Sequence, residues 1–313
     1  MADKIRYGGQ AVMEGVMMRG TKSIATVVRR PDGTLAKSVH PLHPIYTGRW
    51  RKMPLVRGDI AMLEATVLGA EALMFSTGIA LEEPSDEKPE TEEKKGSSGG
   101  PMIWIMLLLS MALAVCMFSL LPLFLTRWIL PGMQGSLAFN LLEGVLRLGI
   151  FLIYLRAVSF MPDIRRTFAY HGAEHKTIHA YEAGVELTPE NVQKHTTAHA
   201  RCGTAFLLAV MLIAILIFSI VGELSWWWLL ASRILLLPVI AAIAYEVTQW
   251  AARHEKNLLA KIMIAPGMWL QRLSTRHPDD QMVEVAITAL KEVLIADGVI
   301  PAETPVAPPE AAG

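Results

Sequence analysis

Hydrophobic and polar positions divide the chain into zones of different period. Residues 1–60 mix glycines with basic and β-branched residues. Within them Ser23-Ile24-Ala25-Thr26-Val27-Val28, a Pro31-Asp32-Gly33 turn and Thr34-Leu35-Ala36 read as a β-hairpin. Gly8, Gly9, Gly15 and Gly20 fit tight turns in a small sheet, or a backbone loop approaching a ligand, and their spacing matches no phosphate-binding fingerprint. Over 57–80 the apolar positions Ile60, Leu63, Val67, Leu68 and Phe75 follow a helical period, but Arg57, Asp59, Glu64 and Glu71 interrupt it. An amphipathic helix is expected there, lying on a bilayer surface or against other helices. Residues 82–100 combine Pro, Ser and Gly with seven acidic against three basic residues between Glu82 and Lys95, a composition that cannot bury a core and predicts a disordered linker.

Long uncharged runs follow. Met102 to Leu125 is twenty-four residues without a charge, enough to cross a hydrocarbon layer of about 30 Å at about 1.5 Å per residue. Leu137 to Val158 is a second candidate span, with Glu143 and Arg147 four apart and expected to face inward as a pair. Gly203 to Val221, and Leu229 to Tyr245 with Arg233 near its start, make the third and fourth. Two spans thus fall within 102–160 and two within 203–247. In 248–299, Leu258 to Leu273 looks interfacial around a Pro266-Gly267 break, and a helix from about Gln281 to Ala296, capped by Asp279 or Asp280, carries Val283, Ile287, Leu290 and Leu294 on one face. That helix is expected to pack on the N-terminal region. The Pro/Ala-rich residues 300–313 are expected to be disordered. The fold class predicted is a mainly α membrane protein, a four-transmembrane-helix bundle with a small β-rich N-terminal cytoplasmic region and a C-terminal amphipathic helix.

Composition agrees: 52% of the 313 residues are hydrophobic, too many for an ordinary soluble protein. A net charge of zero, with no basic tract, argues against nucleic-acid binding. Cys116 and Cys202 make no disulfide framework, and Met1 to Arg30 has no signal-peptide core. The short turns hold only Arg127, whereas Arg165, Arg166, Lys176, Lys194 and Arg201 lie in the central segment 161–202, and Arg253, Lys256 and Lys261 follow the last span. Positive charge favours the cytoplasm, so both termini and the central loop are predicted inside.

That loop carries the chemistry. Five of the nine histidines fall in the thirty-three residues from Tyr170 to Cys202. On a helix His171, His175 and His179 share one face with Glu174 beside them, and His195 and His199 repeat the interval on a second candidate helix, with Cys202 three residues on. Two such faces turned together would hold one Zn²⁺, or another divalent transition ion, by His171, His175, His179, His195, His199 and Cys202. His171-Gly172-Ala173-Glu174-His175 also has the inverted zincin form H-x-x-E-H, in which the glutamate, here Glu174, is general base toward water. Glu182, Glu186, Glu246 and Glu255 stand in reserve, and Glu14 would reach the site if the N-terminal region folds beneath the bundle. His40 and His43, in a proline-rich segment, read as surface residues.

The segments Tyr7-Gly8-Gly9-Gln10-Ala11-Val12-Met13-Glu14-Gly15, Tyr170-His171-Gly172-Ala173-Glu174-His175-Lys176, Arg201-Cys202-Gly203-Thr204, Ala265-Pro266-Gly267 and Pro278-Asp279-Asp280 resemble the DUF1385, or YqhQ-like, family of bacterial membrane proteins. The resemblance implies a multi-pass protein of the bacterial inner membrane and a predicted metal-dependent enzyme. The expected function is accordingly a metal-dependent hydrolase at the cytoplasmic face of the lipid bilayer, with a non-catalytic membrane scaffold or regulator as the alternative. In that alternative the site is structural and the N-terminal region and last helix dock a protein partner. A metal or ion transporter, built as a homo-oligomer, is a third reading, for which Glu143, Arg147 and Arg233 supply few polar groups.

Overall fold

Four antiparallel strands, β1 (Gly8–Val12), β2 (Gly15–Arg19), β3 (Ser23–Arg29) and β4 (Leu35–Pro41), form a meander in the order β1-β2-β3-β4. The register runs Val12↔Gly15, Val16↔Val27 and Arg29↔Leu35. The β1–β2 turn is two residues long and holds Glu14 at φ 51, the left-handed region. A Cβ on Gly15 would collide with the Val27 carbonyl, so the turn closes only with glycine there.

Side chains of a strand alternate between faces, and here both faces are covered. Val16, Met18, Ala25 and Val27 enter one apolar cluster, while Val12, Met17, Ile24 and Val28 enter another. That is why Ser23–Arg29 reads as a nearly continuous apolar run. The computed structural model describes residues 7–80, 101–199, 202–220, 225–254 and 256–301. The expected linker 82–100 and nearly all of the expected tail lie outside the described residues.

After a short helix α1 (Pro44–Thr47) and a 3-10 turn, α2 (Val56–Ala80) covers the second sheet face with Leu68, Ala72 and Ile79. At its start it meets the helical layer, where Gly58 lies against Ala242 and Tyr245. The first sheet face is covered by two helices introduced below, one of them the helix that bears the histidines.

The helical layer is built from α3 (Pro101–Val115), a π segment (Cys116–Leu120), α4 (Leu121–Ile129) and α5 (Leu137–Val158). The π turn falls just before Pro122, whose missing N–H disrupts the α ladder. Next come α6 (Pro162–Ala183), α7 (Pro189–Gln193), α8 (Gly203–Ile220), α9 (Trp226–Leu235), α10 (Leu237–Arg253), α11 (Leu258–Ser274) and α12 (Asp280–Ala296). Among the described residues three helical runs are long and apolar enough to cross a membrane, Val56–Ala80, Leu108–Ile129 and Gly203–Ile220; Val56–Ala80, expected as an amphipathic helix, is one of them, whereas the expected span Leu137–Val158, which carries Glu143, Arg147 and Arg156, is not. The pair α9–α10 makes a fourth if counted as one. The single span expected over Leu229 to Tyr245 is bent by 42°, at a break preceding Pro238.

Helix α8 is the central post. It packs on α5, α10 and α11, with Gly144 of α5 seated against Ile215 and Gly267 of α11 against Ala205. The latter contact corrects the expected break at Pro266-Gly267: α11 continues through the proline, because the close crossing on α8 holds both halves in line against a local cost of about 3 kcal/mol. Glu143 and Arg147 face inward as a pair, and Arg233 joins them from α9, with both guanidinium groups over the Phe218 ring at 5.1 and 3.9 Å.

Helix α12 starts at an Asp279 cap, whose carboxylate accepts from the Met282 N–H at 2.8 Å. Its apolar face, Val283, Ile287, Leu290 and Leu294 included, is buried with the first sheet face and α6. At its C-terminus Asp297 accepts hydrogen bonds from the Thr21 N–H at 2.6 Å, the Lys22 N–H at 3.1 Å and the Ser23 hydroxyl at 2.6 Å. The last helix is thereby bolted to the β2–β3 turn.

Candidate metal centre

Helix α6 begins with Pro162 at its first turn, where a missing N–H costs nothing, and ends at Gly184 in the left-handed conformation. Its 22 residues place His171, His175, His179 and Glu182 on one face at intervals of four, four and three. The opposite side packs on α12 and β1. The histidine face is thus held half in the interior: His175 is 2% exposed and Glu174 4%.

The partner segment differs from expectation. His195 and His199 do not lie on a second helix; α7 stops at Gln193 and the chain to His199 is irregular. A helix would have committed the Thr197 and Ala198 carbonyls to its own ladder. Instead the Thr197 carbonyl accepts from His175 Nδ1 at 2.6 Å, and the Ala198 carbonyl from His179 Nε2 at 2.9 Å. From the end of α11, the Ser274 carbonyl accepts from His171 Nδ1 at 2.8 Å. Carbonyls only accept, so each fixes its imidazole's tautomer and leaves the other ring nitrogen as a lone pair, as an outer shell does for a metal ligand.

Those lone pairs converge. His171 Nε2 lies 3.2 Å from Cys202 Sγ. One ligand atom each from His171, His175 and Cys202 fall within 4.8 Å of one another. Two ligands of a tetrahedral zinc ion, with bonds of about 2.0–2.1 Å to nitrogen and 2.3 Å to sulfur, stand roughly 3.5 Å apart. The donor set therefore fits a borderline-soft divalent ion. His179, Glu182 and His199 form a second such group, also within 4.8 Å. The groups adjoin where the His175 and His199 rings lie 5.6 Å apart. His195 belongs to neither; its ring stacks on His179 at 6.4 Å.

Glu174 is turned toward the sheet, where its Oε1 accepts from the Gly9 N–H at 3.0 Å. Burial pushes this carboxyl above the usual carboxylate range, against the opposing pull of His171, His199 and the Gly9 amide. Burial likewise lowers His175, opposed by its Cys202 hydrogen bond. Glu174, His171, His175 and Cys202 all open into one cavity of about 280 Å³, whose far wall includes Arg19, Arg51 and Glu64. There Glu64 pairs with Arg19 at 2.8 Å and Arg51 at 3.3 Å.

Glu14 stays out of the centre, held by Arg166 at 2.5 Å and the Tyr170 hydroxyl at 3.3 Å. Among the reserve carboxylates Glu182 enters the second group, Glu246 pairs with Arg57 and Glu255 lies outside the described residues. His43 caps α1. Gln271 escaped the sequence reading: its side chain accepts from the His199 N–H and donates to the His199 carbonyl, both at 2.8 Å, clamping that residue. A polar residue on an otherwise apolar helix face was its one visible signal. The Gly9 amide and the Ser274 carbonyl carry no residue-type signal at all.

These features define a mainly helical protein whose long apolar helices accompany a small antiparallel sheet and a histidine-bearing helix with metal-ligand geometry. The chain belongs to the DUF1385 family: the family described as "Protein of unknown function (DUF1385)" matches residues 53–296. A Bacillus subtilis (strain 168) protein described as "Uncharacterized protein YqhQ" is 35% identical over 292 residues, 92% of each chain. No solved structure matches.

Proposed function

We propose that the chain is a multi-pass protein of the bacterial inner membrane with a metal centre at His171, His175 and Cys202, acting as a hydrolase. The observation that carries this is the pair of imidazoles whose Nδ1 atoms are each held by a backbone carbonyl, while a ligand atom of each histidine and the Cys202 sulfur lie within 4.8 Å of one another. Three protein ligands leave a fourth position of a tetrahedral ion open, the pattern of catalytic rather than structural zinc. A bound divalent ion would supply Lewis-acid polarisation of a substrate oxygen. Glu174, in the same cavity and with its proton affinity raised by burial, is the proton acceptor. The Gly9 amide keeps its carboxylate oriented.

In the membrane, α3–α4, α5, α8 and α9–α10 are read as the four crossings. Helix α5 is not among the runs apolar enough by composition, but its 22 residues reach about 33 Å at 1.5 Å per residue, and its buried Glu143 and Arg147 are paired with each other and with Arg233. Helix α2 stays with the sheet, since its Glu64 is tied to Arg19 and Arg51. An even number of crossings puts both termini on one side, and the basic residues on and after α6 and following α10 make that side the cytoplasm. The centre then lies at the cytoplasmic surface.

The test is metal analysis of detergent-purified chain combined with complementation of a deletion strain. Wild type should carry metal and His175→Ala should lose it, while Glu174→Gln should keep metal and lose function. Metal kept with function also kept in Glu174→Gln would favour the scaffold reading. Metal-free wild type would refute the centre.

A further inference from the structure

The second cluster on α6 has its own donor set. The geometry points to a separate divalent-ion site formed by His179, Glu182 and His199, next to the His171/His175/Cys202 centre. Taking the latter as a distinct site rests on the reading proposed above. One ligand atom from each of the three residues lies within 4.8 Å of the others. His199 Nε2 stands 3.6 Å from Glu182 Oε2, a spacing two ligands of one small ion share.

Each histidine is held from outside. The Ala198 carbonyl fixes the His179 ring, and two hydrogen bonds with the Gln271 side chain, one accepted and one donated by it, hold the His199 backbone. A partner on the other ring nitrogen, as at His179, is the outer-shell fixing characteristic of ligating imidazoles. The cluster is built on rigid elements, His179 and Glu182 being three residues apart on α6. It is also reachable, because the Glu182 side chain is 32% exposed whereas that of His199 is 7% exposed.

The two sites differ in softness. Two imidazoles and a thiolate favour zinc or other thiophilic ions, whereas two imidazoles and a carboxylate also take manganese, iron or cobalt. The adjoining rings of His175 and His199, 5.6 Å apart, make the pair a two-ion centre on one helix face.

Cobalt(II) separates the sites, because only the first offers sulfur. Chelator-stripped, detergent-purified full chain is titrated with Co²⁺, read by bound metal per chain and by thiolate-to-cobalt charge-transfer absorption. Wild type should bind two ions with that absorption. Glu182→Gln and, independently, His179→Ala should bind one and keep the absorption, while Cys202→Ser should bind one and lose it. A wild type that binds one ion with the absorption, unchanged in Glu182→Gln, overturns the second site and leaves the first intact. Two ions retained in both Glu182→Gln and His179→Ala also overturn it. One ion without the absorption, lost in Glu182→Gln, upholds the second site and removes the first. No bound ion removes both.

Discussion

Gly172 is the point at which the fold and the candidate centre are most tightly coupled. It lies beside His171 on α6, and a Cβ there would strike the Arg276 carbonyl oxygen and come within 3.3 Å of Thr197 Cγ2. The Arg276 backbone is tied to α6 by its N–H, which donates to the Phe168 carbonyl at 2.9 Å. Neither side can swing away as a flexible side chain would. In Gly172→Ala the two backbones must part by on the order of an ångström to reach ordinary contact. Overpacking of this kind costs about 1–3 kcal/mol, and losing the Ser274 carbonyl bond to His171, now 2.8 Å, adds about 1 kcal/mol. Against this, alanine is the better helix former by about 1 kcal/mol. The net destabilisation is therefore roughly 1–3 kcal/mol, together with a 10–100-fold loss of metal affinity from the displaced outer-shell partner. Thermal unfolding in detergent and a metal-binding titration read both effects. Gly149→Ala is the control, since a Cβ there meets nothing within 4 Å; it should unfold no earlier than wild type. A Gly172→Ala protein with wild-type unfolding temperature and metal affinity would refute the close approach of α6 to the chain after α11.

Gln271→Leu should remove the hydrogen bonds that Gln271 makes with the His199 N–H and carbonyl, at about 1–3 kcal/mol in all since the carbonyl keeps the Cys202 N–H at 3.3 Å, and weaken metal binding; circular-dichroism melts and the same titration check this. Glu143→Gln should cost about 3–5 kcal/mol by leaving Arg147 and Arg233 buried without a counter-charge, seen as a lower yield of folded protein from membranes, whereas Glu190→Gln, in an exposed pair with Lys194, should change nothing measurable. At Asp297 burial raises the carboxyl, but hydrogen bonds from Ser23, Thr21 and the Lys22 amide outweigh it and the group titrates below its usual range. The docking of the β2–β3 turn on α12 is thus complete above the unfolded value of about 3.9 and lost as pH falls through the lower folded value; Asp297→Asn should abolish that acid dependence in hydrogen exchange of the Thr21 and Lys22 amides.

Much of this architecture was readable in the order of residues, because period is a local property. The i, i+4 spacing of His171, His175 and His179 needs only a helix to align them, and α6 aligns them. The spacing of Val283, Ile287, Leu290 and Leu294 set the buried face of α12, and the β-branched run before the Pro31-Asp32-Gly33 turn became the first strand of the β3–β4 hairpin. The same local reasoning misplaced His195 and His199, since their spacing suited a helix that the chain does not form.

What tertiary structure alone decided is which groups meet across elements. The Gly9 amide reaches Glu174 across 165 positions and Gln271 clamps His199 across 72, contacts that no periodicity encodes. The imidazole-orienting groups are backbone carbonyls, which every residue carries, so residue type gives no sign of them. The division of one predicted ligand set into two groups, with Glu182 gained and His195 set aside, follows from where an irregular segment lies against α6. Spacing along a chain determines which side chains share a face; only packing determines what that face confronts.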